Sequence, residues 1–284
     1  MCKKHFFCII LLMAAFVIAS CHGGNSTEEE TSDGDTCTVD STGVDITTEE
    51  EEMLEEVTRS GHVDELFDDF LYTFSHIRAM QKARVEYPLD DVLADGTREK
   101  VERGGFNDRM DFLDGEFTTT FWSNRKQAYL KQDTTLTNAS VEKLDLENRQ
   151  IVAYDFHKKH GKWMLFQRRH EKFEDADMPD FLEFYSRFSS DSTFRQQSLS
   201  DNIKVNMLDP DDENQSVTGT IDAQQFPVMC PDVPGGEITN IRYGQKYDSP
   251  HRIILEKSGQ SNGMSEIFTF EKEGKDWKLT EYDN

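Results

Sequence analysis

The sequence predicts an α+β fold: two tandem cone-like units, each with N-terminal helices packed in a curved antiparallel sheet. Three observations predict it. The first is internal repetition, because residues 67–165 and 181–279 match without a gap at an offset of 114 positions. Phe67, Phe70, Phe74 and Ser75 fall on Phe181, Phe184, Phe188 and Ser189; Gly105, Asp108 and Phe112 fall on Gly219, Asp222 and Phe226. Tyr129 falls on Tyr243, Glu142-Lys143 on Glu256-Lys257, and Phe156, Lys158, Trp163 and Leu165 on Phe270, Lys272, Trp277 and Leu279. A repeat of this length is a whole domain rather than a solenoid unit. The second is a Phe stripe at helical spacing near the start of each copy. The third is a set of alternating apolar runs after each stripe; helices first and strands after make an α+β unit, not a doubly wound sheet.

Residues 1–20 read as an export signal. Lys3 and Lys4 form a basic start, and Phe6 to Ile18 is an uncharged apolar run that includes Cys8. The run is too short for a stop-transfer helix and ends in small residues, as a cleavage site does. Its ending, Ile18-Ala19-Ser20-Cys21, resembles the lipobox of bacterial lipoproteins. That resemblance implies that the Cys21 thiol is acylated and becomes the mature N-terminus, anchoring the chain to a membrane.

Residues 21–58 read as a disordered acidic tether. From His22 to Thr58 there is no Lys or Arg but there are thirteen acids, with Ser, Thr and Gly filling most of the rest. Such a segment buries too little apolar surface to offset its ordering entropy, and its charges repel along the chain.

The first unit is drawn over 59–173 and the second over 174–284. Val63, Leu66, Phe67, Phe70, Leu71, Phe74, Ile77 and Met80 predict one helix over 63–85, with Ser60 as its cap and Asp64, Glu65, Asp68 and Asp69 suiting its positive start. Glu116–Trp122, 140–146, 150–156 and 163–169 predict strands, with His157 to Lys162 as a hairpin turn. In the second unit Asp177 is the cap candidate and Pro179 sits in the first turn. Phe181, Phe184, Tyr185 and Phe188 make the stripe, and a short helix is expected near 192–199. Strands are expected at 238–243, 252–257, 266–270 and 277–282.

Each unit closes with an aromatic-x-Phe strand, a Gly-Lys turn and a Trp: Tyr154-Asp155-Phe156 to Gly161-Lys162-Trp163, and Phe268-Thr269-Phe270 to Gly274-Lys275-Asp276-Trp277. With the element order, this resembles the nuclear transport factor 2-like superfamily of cystatin-like α+β folds. With lipobox and tether added, the chain looks like a family of Bacteroidetes lipoproteins carrying two such domains. The resemblance covers about residues 60–284. It implies a fold and no reaction, since the superfamily hosts isomerases, dehydratases, cyclases and many binders.

Charge excludes nucleic acid as a partner. Without Lys3 and Lys4 the chain carries 29 basic and 55 acidic residues, and discounting the thirteen tether acids still leaves a net charge of −13. No basic stripe with interleaved aromatics is present, so a phosphate backbone is repelled. Of the five cysteines, Cys2 and Cys8 leave with the signal and Cys21 takes lipid; Cys37 and Cys230 remain, either bridged or as independent thiols.

Strong catalytic motifs are lacking. His157 and His160 stand on a hairpin with two lysines between them, and no metal site or cofactor is expected there. Asp108 and Asp222 are matched in the repeat; an Asp inside such a cone can act as a general base if burial raises its pKa, but turn capping is the ordinary role. Trp163 and Trp277 head the closing strands and either line an open pocket or plug each cone, plugging being the favoured reading. Asp40-Ser41-Thr42, in the tether, resembles the Bacteroidetes O-glycosylation motif, with Ser41 as acceptor. The expected function is a cell-envelope lipoprotein, on the outer membrane, that works as a binding or scaffold module for a small molecule or envelope protein. The alternative is a hydratase- or isomerase-type enzyme using a cone pocket.

Overall fold

Phenylalanines three and four apart build the first helix and then bury it. The computed structural model describes Glu52, Glu55 and residues 61–284 apart from 106–109, 111, 114, 210, 211, 231, 261 and 262. The signal, the tether apart from Glu52 and Glu55, and Cys21, Cys37, Ser41, Ser60 and Asp108 therefore lie outside the described residues. Helix α1 (Phe67–His76) is followed by α2 (Arg78–Ala83), so the single helix expected over 63–85 is two. They part at Ile77, whose φ of −111° and ψ of 107° are extended backbone. The start also lies later than expected, because Asp64 is engaged elsewhere. Its carboxylate accepts from Arg84 at 2.8 and 2.9 Å and from the Trp163 backbone N–H at 2.8 Å.

The strands of this half are β1 (Val85–Val92), β2 (Arg98–Val101), β3 (Phe117–Trp122), β4 (Asn138–Asp145), β5 (Gln150–Lys159) and β6 (Lys162–Lys172), with a 3-10 helix (Arg125–Gln132) after β3. Only His160-Gly161 remain for the last turn, at φ 51° and 78°, values that suit a two-residue hairpin. The second half runs α3 (Pro179–Ser190), α4 (Ser192–Gln197), β7 (Leu199–Asp209), β8 (Asp212–Asp222), α5 (Phe226–Met229), β9 (Glu237–Arg242), β10 (Arg252–Gly259), β11 (Ser265–Glu273) and β12 (Asp276–Asp283). Asp177 is not the cap of α3. Met178 holds that position without a side-chain bond, while Asp177 accepts from Arg242 at 2.5 Å. Asp191 caps α4 through the Thr193 and Phe194 N–H groups.

The strands form one twelve-stranded sheet in the order β2-β1-β6-β5-β4-β9-β3-β10-β11-β12-β7-β8. It is mixed rather than antiparallel: β1 lies parallel to β6, β7 to β12 and β3 to β9. The centre is crossed over. β3, from the first half, pairs with β10 of the second, Phe121 opposite Leu255. β9, from the second half, pairs with β4 of the first, Ile241 opposite Val141. Among the described residues these two strands share one register pair, Thr119 and Asn240, and the Thr119 hydroxyl donates to the Thr239 carbonyl at 3.1 Å.

Burial follows from this crossing. The central strands are covered on both faces, so they carry near-continuous apolar or hydroxyl runs rather than clean alternation. Phe121, Ile253 and Leu255 join the core around α3, while their neighbours Trp122 and Ile254 join the core around α1. Thr118, Thr119 and Thr120 are all buried, where alternation had put only one of every two inward.

The helix stripes make matching contacts. Phe67, Phe70 and Phe74 stand edge-on to Phe156 at 5.5, 5.6 and 5.5 Å. Phe181, Phe184 and Phe188 stand edge-on to Phe270 at 5.4, 5.8 and 5.2 Å. Phe67 meets Trp163 at 5.0 Å and Phe181 meets Trp277 at 5.1 Å. Tyr129 and Tyr243 do not share a position. Tyr129 is exposed on the 3-10 helix, whereas Tyr243 is buried and stacked on Trp122 at 5.8 Å. The exchanged strands explain the mismatch, since Phe121 and Ile241 are 120 positions apart rather than 114.

Candidate functional site

Trp163 and Trp277 are both packing residues. Trp163 is 0% exposed among Phe67, Phe70 and Phe156, with the Lys158 ammonium over its ring at 5.1 Å. Trp277 is 7% exposed, with Lys272 over its ring at 5.1 Å. It reaches the floor of an open groove of about 730 Å³ that Phe184, Phe194 and Arg187 also line. Asp222 is exposed and caps a turn, accepting from the Gln224 and Gln225 N–H groups at 2.9 and 3.1 Å. Cys230 is a buried free thiol whose pKa burial pushes up to about 11, which leaves it a poor nucleophile at neutral pH.

The polar groups that converge lie elsewhere, in a cleft of about 240 Å³ where the segment joining the halves crosses β4, β5 and β6. Leu144, Ile151, Met178 and Leu182 give it an apolar floor, and Glu142, Arg169, Arg242 and Tyr247 give it chemistry. Strand exchange assembles the set: β4 supplies Glu142, and β9, arriving from the second half, supplies Asn240 and Arg242. Glu142 accepts from Asn240 Nδ2 at 2.7 Å and from Arg242 at 3.2 Å. Beside it, Asp155 accepts from Arg169 at 2.5 and 3.1 Å and from the Ser140 hydroxyl at 2.7 Å.

Electrostatics distinguishes this carboxylate from Glu256, which matches it at the 114-residue offset. Burial raises the Glu142 pKa, and Arg242 and Asn240 offset only part of that. Burial also acts upward on Glu256, but Lys131 at 2.8 Å and the Trp122 indole N–H at 2.8 Å outweigh it, and its carboxyl lies below the ordinary value. The Arg242 guanidinium loses solvent too, yet Glu142 and Asp177 hold it firmly charged. Burial raises the Tyr247 phenol well above its usual range, so it donates rather than ionises. Asn240 is fully buried, and its Oδ1 has no partner among the described residues. The cleft thus offers donors, one carboxyl whose pKa burial raises and an apolar floor, with four acidic side chains to two guanidiniums along its lining. It fits a small polar molecule and disfavours a polyanion.

Sequence reasoning missed this set. The signal it carried was the Glu142-Lys143 match to Glu256-Lys257, an acid repeated inside a strand otherwise flanked by Val141 and Leu144.

A family profile described as a domain of unknown function, DUF4348, matches residues 46–284. The chain belongs to the DUF4348 family. This DUF4348 chain is also 30% identical to an NTF2-like protein from Bacteroides fragilis NCTC 9343, solved by crystallography. The match covers 78% of this chain and 96% of that one, with a TM-score of 0.72, and it makes the fold NTF2-like. No curated protein matches the DUF4348 chain.

Proposed function

We propose that this DUF4348 protein is an exported lipoprotein of the bacterial cell envelope, built from two interlocked copies of one NTF2-like unit, that binds a small polar molecule in the cleft between its halves. The observation that carries this reading is the filling of both cones by aromatic side chains while convergent polar groups gather around Glu142 and Arg242. The tandem arrangement is supported by the matching Phe–Phe and Phe–Trp contacts of the two stripes. Export and acylation are supported by the basic start, the short apolar run and Ile18-Ala19-Ser20-Cys21. Acyl chains contribute about 0.8 kcal/mol per buried methylene, enough in combination to hold a strongly acidic protein on a membrane. A Cys21→Ala variant should move from the membrane to the soluble fraction on cell fractionation; equal membrane retention removes the lipobox reading.

The cleft reading is tested by a thermal-shift screen of small polar molecules against the parent and Ala176→Trp. Ala176 lines the cleft on the segment between the halves and is only half-buried, so a Trp there fills the cavity with little effect on folding. Ligands that stabilise the parent should lose their effect on Ala176→Trp and keep it on Asp222→Asn. Ligands indifferent to Ala176→Trp place binding elsewhere. One observation favours an enzyme of hydratase or isomerase type as a second reading: Glu142 is a carboxyl raised by burial beside a cavity. Turnover in an activity screen that Glu142→Gln abolishes would promote it.

A further inference from the structure

We infer that the outer edge of β8 pairs with β8 of a second copy of this chain, joining two twelve-stranded sheets about a two-fold axis at Thr218. β8 is the last strand on its side of the sheet. Residues Ser216 to Thr220 are exposed. Among the described residues, no backbone hydrogen bond reaches Ser216–Ile221 except across to β7. An edge of this kind is a template for another strand unless charge, Pro or shortness blunts it. The opposite edge is blunted: β2 has four residues, three of them Arg98, Glu99 and Lys100. β8 is not, because Asn214 to Ile221 are uncharged and free of Pro. Val217, 52% exposed, leaves apolar surface on one face of this edge, and Leu208 of β7, opposite Ser216 and 63% exposed, leaves some on the other.

The occupant is written into the strand itself. Gly219 sits mid-strand, where glycine weakens a sheet and marks close approach of another group. Nothing within the chain demands it. Its φ is ordinary, and an added Cβ would meet only Val205 Cγ2 at 3.7 Å. In an antiparallel pair centred on Thr218, residues that add to the same register fall opposite one another: Val217 faces Gly219 of the other copy and Ser216 faces Thr220. The glycine thus clears room for the exposed valine. A single strand pair is small beside the roughly 1,200–2,000 Å² of a stable interface, so the dimer is reversible and concentration-dependent. The cleft plays no part in it.

Sedimentation velocity of the full Cys21→Ala chain at physiological salt, over a concentration series, should show a monomer passing into a dimer. Thr218→Lys and Thr218→Glu each bring like charges together on the axis and should each stay monomeric. Their equimolar mixture should dimerise, because Lys then faces Glu. A parent that stays monomeric throughout, dimers untouched by either substitution, or a mixture that stays monomeric would overturn the proposal. A monomeric parent whose β8 is protected only by an added extended peptide would overturn it in favour of a foreign strand. Should a variant fail to fold, hydrogen exchange on the parent decides: the β8 amides should gain protection as concentration rises, and unchanged exchange overturns the pairing.

Discussion

Phe70→Ala should lower the thermal midpoint steeply, while Phe184→Ala, 114 positions on, should lower it much less. Phe70 is fully buried and sits 5.3 Å from Phe74 and 5.6 Å from Phe156. Truncating such a ring costs about 3–5 kcal/mol, the transfer term plus the cavity left behind. At roughly 2–4 °C per kcal/mol for a body of this size, the midpoint should fall by about 6–20 °C. Phe184 makes the equivalent contact with Phe270 but is only half-buried, on the groove that Trp277 floors. Its removal widens an existing opening instead of creating a void. Calorimetry on the two variants measures the difference. Equal shifts would mean that the groove is closed in solution, and a negligible shift for Phe70→Ala would mean that the first core is not packed as described.

A cut between residues 173 and 174 should leave neither fragment folded alone, while the two together should reassemble. The cut removes β9 from β4 and β10 from β3, six register pairs in each case. A fragment could in principle close on itself by placing its own β3 beside β4, but Thr120 and Trp122 would then stand where Asn240 and Arg242 stand. Glu142 would lose both partners while buried. An uncompensated buried charge of that kind costs about 3–5 kcal/mol. Far-UV and near-UV circular dichroism of the separate fragments and of their mixture tests this. A fragment that is a cooperative folded monomer on its own would show that the exchange is dispensable.

The parts legible in sequence were those set by local pattern. Phe67, Phe70 and Phe74 declare a buried helix face by spacing alone, and Tyr154 to Trp163 declares a hairpin by alternation around a Gly turn. β1 and β2 were illegible because Pro88 and acids such as Asp90 and Asp91 interrupt the apolar rhythm; Asp91 is buried where Arg168 pairs with it at 2.5 Å and His170 lies at 3.2 Å. β7 and β8 were illegible because most of β8 faces solvent. The cleft was illegible for a different reason. Glu142 and Arg242 are one hundred residues apart, and their meeting depends on which strand fills the slot beside β4. Alternation reports that a strand exists and which face is buried, not which neighbour it takes, so Trp163 and Trp277 drew attention that belonged to Asn240 and Arg242.

The crossing of β3 and β9 also bears on how fast a ligand could come and go. In a protein with a site between two domains, release commonly waits on a hinge opening, a collective motion of microseconds to milliseconds. Here the halves have no hinge to open, because parting them would shear two six-pair ladders at once. The wall of the cleft that can yield is the short connection Asp175 to Met178, which lies over a sheet that stays put. Entry and exit of a ligand held there would then follow loop motion, on the scale of nanoseconds to microseconds. Residence time would be governed by how tightly the pocket grips its guest, not by the clock of a domain movement.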